Sequence, residues 1–397
     1  MGLQIWELDS FTLLALMVYY LFLMFFCIIM SRLMVMSTMK HNVKAYRCEE
    51  LIIMIIILSV YTFIVGFRYN VGSDWISYYE SYLRLETFGI YDKSDYDVGY
   101  YLLNAFSAYF GLGFYFVLCV VALITFFFVI KSVGNAKFLL PFYLFFFFCV
   151  IFNESLNVMR QVLACFGCIW AFSLLLSKKI KWSITVFIIS WSFHRTSLFA
   201  LTYIPFLFFN PFKNRNLNIV VILLSFVFGE ILYGYFKDFI IGISLFSSGS
   251  RASETITEYG FQVFEAQAVD WNAQMVKYVY LFVNLLIVWY SPQIKENFEK
   301  YHFSFYFSLF MVGQILQPVL IYHSMFQRLN YYYYLYCILM LSYLCYSLWN
   351  IRFSKTGMIT QRMTTVTVLL IYLLIHIRHI LQYDSLMYKN YFLDVVL

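Results

Sequence analysis

Apolar residues run along this chain in long blocks separated by short polar stretches, and the blocks recur from end to end. A helix needs about 20 apolar residues to cross a bilayer. The pattern predicts apolar segments over Phe11–Met30, Leu51–Phe67, Tyr101–Phe110, Phe114–Ile130, Phe138–Phe152, Val162–Leu176, Trp182–Phe193, Ser197–Phe209, Leu217–Tyr235, Met275–Tyr290, Phe303–Tyr322, Tyr331–Trp349 and Thr364–Leu381. Tyr101–Phe110 is too short to span and reads as a partial or re-entrant piece. Trp182–Phe193 and Ser197–Phe209 are also short, and the pattern allows either two passes or one long kinked helix. Alternating segments of the barrel kind are absent from the sequence. The expected fold class is therefore all-α, a polytopic transmembrane helical bundle of about 12 spans. Two longer stretches, approximately 68–100 and 236–274, read as loops.

Composition agrees with the pattern. The 397 residues are 63% hydrophobic and 12% charged, where soluble domains carry about 25% charged residues. A single integral-membrane domain over 1–397 is expected. The first residues, MGLQIWELDS, hold no Lys or Arg, so no cleavable signal is expected and Phe11–Met30 reads as a membrane helix. Of eight cysteines, seven lie in apolar runs. Cys165 and Cys168 form a CxxC in mid-span, where a metal or redox role lacks water and further ligands, so both read as core residues.

Loop charge predicts orientation. Sixteen Lys and Arg, from Arg32 to Arg362, fall in the loops 31–50, 131–137, 177–181, 210–216, 291–301 and 350–363. Cations favour the cytoplasmic side, so these loops are assigned inside and the N-terminus outside. The same bias supports two separate short passes around His194. Most carboxylates then fall outside, in the two long loops.

Four polar clusters lie on that outer side. In the first, GFRYNVGSDW, Arg68 and Asp74 follow the second apolar run. Ser73 or Asp74 is placed to cap a short helix, on which Trp75, Tyr78, Tyr79 and Tyr82 share one face at i, i+3, i+4, i+7. That face suits the headgroup plane or a sugar platform. In the second, NESLNVMRQ, a helix starting near Ser155 would put Asn157, Arg160, Gln161 and Ala164 on one face, with Glu154 just before it. Polar groups at membrane depth usually face a cavity. The third, SFHRTS, sets His194 in a polar turn between the two short passes. The fourth, HSMFQRLNY, pairs Ser324 with Arg328 and His323 with Gln327 at i, i+4, after Gln314, Gln317 and Pro318 in the preceding span.

Arg68, Arg160 and Arg328 thus remain outside against the charge bias. Arginine stays charged and binds phosphate bidentately, so the three suggest a site for a phosphate or pyrophosphate group, with Asp74, Glu154 or His194 as a base. No metal-ligand spacing, phosphate-binding loop or serine-nucleophile elbow is present in the sequence. No cofactor or metal is expected.

At these residues the sequence resembles the O-antigen and exopolysaccharide polymerase family, of the Wzy and EpsG kind. FRYNVGSDWISYYE resembles the family's arginine followed by Gly-[Ser/Thr]-Asp-x-x-x-Tyr. DVGYYLLN is similar to its Glu-Pro-Gly-Tyr block, with Asp97-Val98 in place of Glu-Pro. NVMRQVLA resembles Arg-Gln-x-x-Ala, FHRTSL resembles Phe-His-x-[Ser/Thr], and QRLNYYY is similar to a later arginine block. The order and spacing carry the likeness, and the part beyond Trp349 adds nothing.

The resemblance implies a metal-independent, membrane-embedded glycosyltransferase of the C type (GT-C-like). Such an enzyme polymerises undecaprenyl-pyrophosphate-linked repeat units at the periplasmic face of the inner membrane, in lipopolysaccharide or related surface polysaccharide synthesis. The expected catalytic residues are Asp74, His194, Arg160 and Arg68. The expected substrate-binding residues are Arg328, Tyr78, Tyr79, Asp97, Tyr100, Glu154, Asn157, Gln161 and His323. Expected partners are the lipid-linked glycan, membrane lipid and a chain-length regulator, with no nucleic acid. An O-antigen ligase shares this logic and differs in its acceptor. A flippase would favour pseudo-symmetric repeats and midplane polar groups, whereas no repeat is visible and the clusters map to one side. An outer-face acyltransferase would leave the arginines unexplained.

Overall fold

The computed structural model describes residues 10–39, 44–72, 74–89, 97–246, 271–322, 324–351 and 357–382. Among them the structure is helical and holds no β-strand. In chain order the helices are α1 (Ser10–Met39), α2 (Lys44–Gly66), α3 (Trp75–Phe88), α4 (Val98–Tyr109), α5 (Phe114–Ser132), α6 (Leu140–Val150), α7 (Phe152–Asn157), α8 (Met159–Leu176) and α9 (Ile180–Phe193). They continue with α10 (Ile204–Phe208), α11 (Arg215–Phe246), α12 (Trp271–Phe298), α13 (Phe303–Leu320), α14 (Ser324–Tyr334), α15 (Tyr336–Asn350) and α16 (Met358–Gln382). Seven are long and apolar enough to cross a membrane, in α1, α2, α5, α8, α11, α13 and α16. This is the all-α polytopic bundle that the apolar pattern predicts.

Several expected segments take a different form. Ser197–Phe209 is not an α-helical pass: residues Arg195–Tyr203 wind as a 3-10 helix, and only Ile204–Phe208 is α-helical. Pro205 enters there without an N–H to continue the tighter ladder. Tyr331–Trp349 is two helices that meet at Leu335. Met275–Tyr290 extends to Trp271–Phe298 and carries Pro292 within it. Most of the outer loop expected over 236–274 lies outside the described residues, as do Ser73, 90–96 and His323.

The chain divides into two compact units, residues 1–200 with 341–397, and residues 201–340. In the first, α8 packs on α5 and α9, α5 on α2, and α2 on α1, while α6 packs on α1 and α16. Helix α6 reads LPFYLFFFFCV, with no charged or amide side chain to mark an outer face, and eight of its residues are buried. A helix that is apolar all round belongs in a core. Its phenylalanines join an aromatic cluster in which Tyr61 stacks on Phe126 at 3.8 Å and Phe147 meets Phe166 at 5.6 Å. Short helices cover one end of this row: α4 contacts α5 and α9, and α3 lies on α4.

In the second unit, α13 packs on α11 and α14. Glycines permit both approaches. A Cβ on Gly229 would fall 2.5 Å from the Pro318 carbonyl oxygen, and one on Gly313 would fall 2.7 Å from the Tyr333 backbone. Buried amides bind between these helices: Asn284 Nδ2 of α12 donates to Gln314 Oε1 of α13 at 2.5 Å, and Asn330 Nδ2 of α14 donates to Gln317 Oε1 of α13 at 2.8 Å. Where water is excluded, such pairs satisfy groups that would otherwise be costly to bury.

Gly167 sets the approach of α9 and α5 to α8. A Cβ there would lie 2.0 Å from Ser190 Oγ and 2.8 Å from the Phe128 ring. Gly167→Ala is therefore expected to destabilise the first unit by about 1–3 kcal/mol through overpacking. A lower melting temperature of the detergent-solubilised variant checks this, and an unchanged one would contradict it.

Candidate functional site

Helix α2 ends at Gly66, and the next residues turn inward. Arg68 is only 2% exposed. Its Nη1 donates to the Val65 carbonyl at 2.9 Å and its Nη2 to the Leu156 carbonyl at 3.2 Å, with Met159 Sδ at 3.3 Å. Nε is buried without a hydrogen bond. Burial pulls the Arg68 pKa down, opposed by Tyr61, Tyr100, Tyr20 and Tyr78 around it, yet a guanidinium stays charged in a protein.

The Leu156 carbonyl is available because the chain breaks between α7 and α8. A helix starting near Ser155, which the sequence allows, would run on unbroken through Arg160. Instead Val158 leaves helical geometry (φ −90°, ψ 49°) and its carbonyl accepts from both Gln161 and Val162. Asn157 therefore closes α7, while Arg160 and Gln161 open α8. A second tie holds the same junction: the Asp74 N–H donates to Asn157 Oδ1 at 2.8 Å. Gly72, at φ +93°, brings the loop within 3.2 Å of the Leu156 carbonyl, measured from where a Cβ would stand. The loop leaving α2 is thus pinned to the start of α8.

Asp97 is the hub of the site. It precedes α4 in extended geometry, the usual place for a side chain that caps its own helix, but makes no such bond. Its carboxylate turns to the end of α9 instead. Oδ2 lies 3.2 Å from His194 Nδ1 and 3.7 Å from Arg160 Nη1. Oδ1 accepts the Arg195 backbone N–H at 3.2 Å and pairs with Arg195 Nε at 3.0 Å. The carboxylate so caps the 3-10 helix that begins at Arg195, from 98 residues away in sequence. Gly99 makes this reach possible. A Cβ on it would fall 2.4 Å from Ser192 Oγ and 2.9 Å from the Ser192 carbonyl oxygen, so α4 and α9 touch beside Asp97 and His194.

Burial alone would raise the Asp97 pKa. The hydrogen bond to His194, then the charges of His194 and Arg160 and the Arg195 N–H, outweigh it and hold the carboxyl below its usual range. Arg160 is also clasped by aromatic faces, its guanidinium 5.3 Å from the Tyr78 ring and 5.2 Å from the Tyr100 ring. Cation–π contacts of this kind contribute up to about 2 kcal/mol when desolvated.

Of the residues singled out from the sequence, the structure brings Asp97, His194, Arg160, Tyr78 and Tyr100 together. Arg68, Asp74 and Asn157 form the support behind them, and Gln161 is buried beside Arg160. Tyr79 faces elsewhere, stacked on Trp75 at 5.1 Å and tilted against Phe114 at 5.5 Å. The aromatic face of α3 is packed inside the protein rather than laid in a headgroup plane, since Trp75, Tyr78 and Tyr82 are all buried. Glu154 is exposed on α7. Arg328 belongs to the second unit, on α14. Sequence reasoning missed Arg195 and Gly99. Arg195 was legible as one more outer arginine, whereas Gly99 needs the helix contact to reveal it. Among the described residues no three His, Cys, Asp or Glu side chains group to hold a metal ion.

The model of the EpsG family matches residues 51–392, which takes in every part of this site. The chain therefore belongs to the EpsG family, a family of polysaccharide polymerases, and is a multi-pass membrane protein. Neither a curated protein nor a solved structure matches it.

Two outcomes follow from the hub. Because the folded Asp97 pKa is depressed, its contribution to stability is present above the ordinary carboxylate pKa and is lost as pH falls through the lowered value. Asp97→Asn should therefore melt below wild type at pH 7, and the gap should begin to narrow only below about pH 4 and go on narrowing as pH falls further; a gap that does not narrow on acidification would contradict the tie. Gly99→Val should part α4 from α9 and lower polymer formation by at least about tenfold, measured as polymer per unit of membrane-inserted protein.

Proposed function

We propose that the protein joins lipid-linked oligosaccharide repeat units into O-antigen or a related surface polysaccharide. The growing glycan moves from its undecaprenyl pyrophosphate to a hydroxyl of the incoming lipid-linked unit, at the periplasmic face of the inner membrane. The family membership supports polymerisation. The observation that carries the chemistry is a single carboxylate, Asp97, that meets His194 through Nδ1 and lies 3.7 Å from Arg160.

Each group then has a role. Asp97 accepts the Nδ1 proton of His194, which orients the ring and leaves Nε2 as a proton acceptor. Nε2 takes the acceptor hydroxyl proton as its oxygen bonds to the anomeric carbon. The bond from that carbon to the diphosphate oxygen breaks, and the lipid diphosphate leaves with the electron pair. Arg160 lies where that negative charge grows. Tyr78 and Tyr100 hold the guanidinium by their faces. Arg68, too buried to meet a glycan, acts through the Leu156 carbonyl by fixing the junction that presents Arg160. This protein-supplied chemistry calls for no nucleotide, because the donor carries its own leaving group.

In a strain lacking the gene, surface polysaccharide should run as a core-plus-one-unit band and become a ladder when the gene is restored. His194→Ala should cut ladder formation by about 10²–10⁴-fold and Arg160→Ala by about 10²–10³-fold, at equal membrane levels. Loss of all core-attached glycan with long lipid-linked chains retained would indicate a ligase, and absence of periplasmic glycan a flippase.

A further inference from the structure

Arg195 belongs to the Asp97 cluster yet stands apart from its other members. Its side chain is 59% exposed, against 15% for Arg160 and 24% for His194. It meets Asp97 through Nε at 3.0 Å, and no hydrogen bond from its terminal nitrogens is present among the described residues. An exposed ion pair is weakly held, so the terminal fork can turn to an incoming group at small cost. Among the described residues, two guanidinium groups pair with this one carboxylate.

The two guanidinium groups sit on opposite oxygens of that carboxylate, Arg195 on Oδ1 and Arg160 on Oδ2. Asp97 therefore brings both guanidinium groups to one place, Arg195 Nε at 3.0 Å and Arg160 Nη1 at 3.7 Å from its oxygens. A diphosphate has two phosphoryl groups joined through one bridging oxygen, and each group matches one fork bidentately. A monophosphate engages one fork at a time. We propose that Arg195 is the exposed arm of an anion clamp completed by Arg160, and that this clamp selects a lipid diphosphate over a lipid monophosphate. The proposal deepens the donor reading above and rests on it for the identity of the anion. A spent carrier that loses one phosphate would, on this account, no longer compete for the site.

The test measures binding of farnesyl diphosphate and farnesyl monophosphate to the full-length protein in phosphatidylcholine nanodiscs. Wild type should prefer the diphosphate by at least about tenfold. Arg195→Gln should reduce that preference below about threefold while changing monophosphate binding little, and Arg195→Lys should fall between, since lysine keeps the charge but not the fork. Adding phosphatidylglycerol should leave the wild-type preference in place; if it abolishes diphosphate binding, the arginine serves membrane lipid headgroups instead. No preference in wild type, or an undiminished preference in Arg195→Gln, would overturn the clamp. The polymerase reading fails separately, if wild type shows the preference but does not elongate lipid-linked oligosaccharide.

Discussion

One carboxylate holds the candidate site together. Asp97 gives up capping its own helix and binds His194, Arg195 and Arg160, which come from two other parts of the chain. Everything nearby serves that reach. Gly99 lets α4 touch α9, Gly167 lets α9 close on α8, and the arginine is the second residue of α8. A buried carboxylate is costly to desolvate, and removing its partners leaves an uncompensated charge. The arrangement is stable because the partners come together, so the site and the packing of the first unit depend on each other.

A second cation supports the first at a distance. Arg68 is buried among tyrosines and takes backbone carbonyls from α2 and α7. Together with the Asp74–Asn157 bond it fixes the break at Val158. An unbroken helix through this region would place Arg160 on a continuing ridge of α7. The break allows α8 to start afresh, with its second residue turned to Asp97 and the faces of Tyr78 and Tyr100.

Much of this was legible in the sequence, for identifiable reasons. Apolar blocks give membrane helices because the bilayer demands their length and composition. Outer arginines stand out because the charge bias disfavours them, which pointed to Arg160 and Arg68. His194 stood out as a histidine in a polar turn. What was not legible depends on contacts distant in sequence. The i, i+3, i+4 spacing of Trp75, Tyr78, Tyr79 and Tyr82 gave the face of α3 correctly, but not that Phe114 covers it. The helix break at Val158 carries no glycine or proline and is tied to a hydrogen bond from Arg68 to the Leu156 carbonyl, 88 residues apart. Asp97 entered only through the DVGYYLLN resemblance and as a substrate-binding residue, and the approach of α9 reveals its partners.

The account's central claim is that Asp97 and His194 act as one unit, and a double-mutant cycle tests it most directly. Polymerisation rates would be measured for the reconstituted wild-type protein, Asp97→Asn, His194→Gln and the double variant, with a defined lipid-linked repeat unit. Groups that act as a unit are strongly non-additive. The account predicts that the double variant is no slower than His194→Gln alone. Losses that multiply, with Asp97→Asn equally harmful whether or not His194 is present, would contradict it.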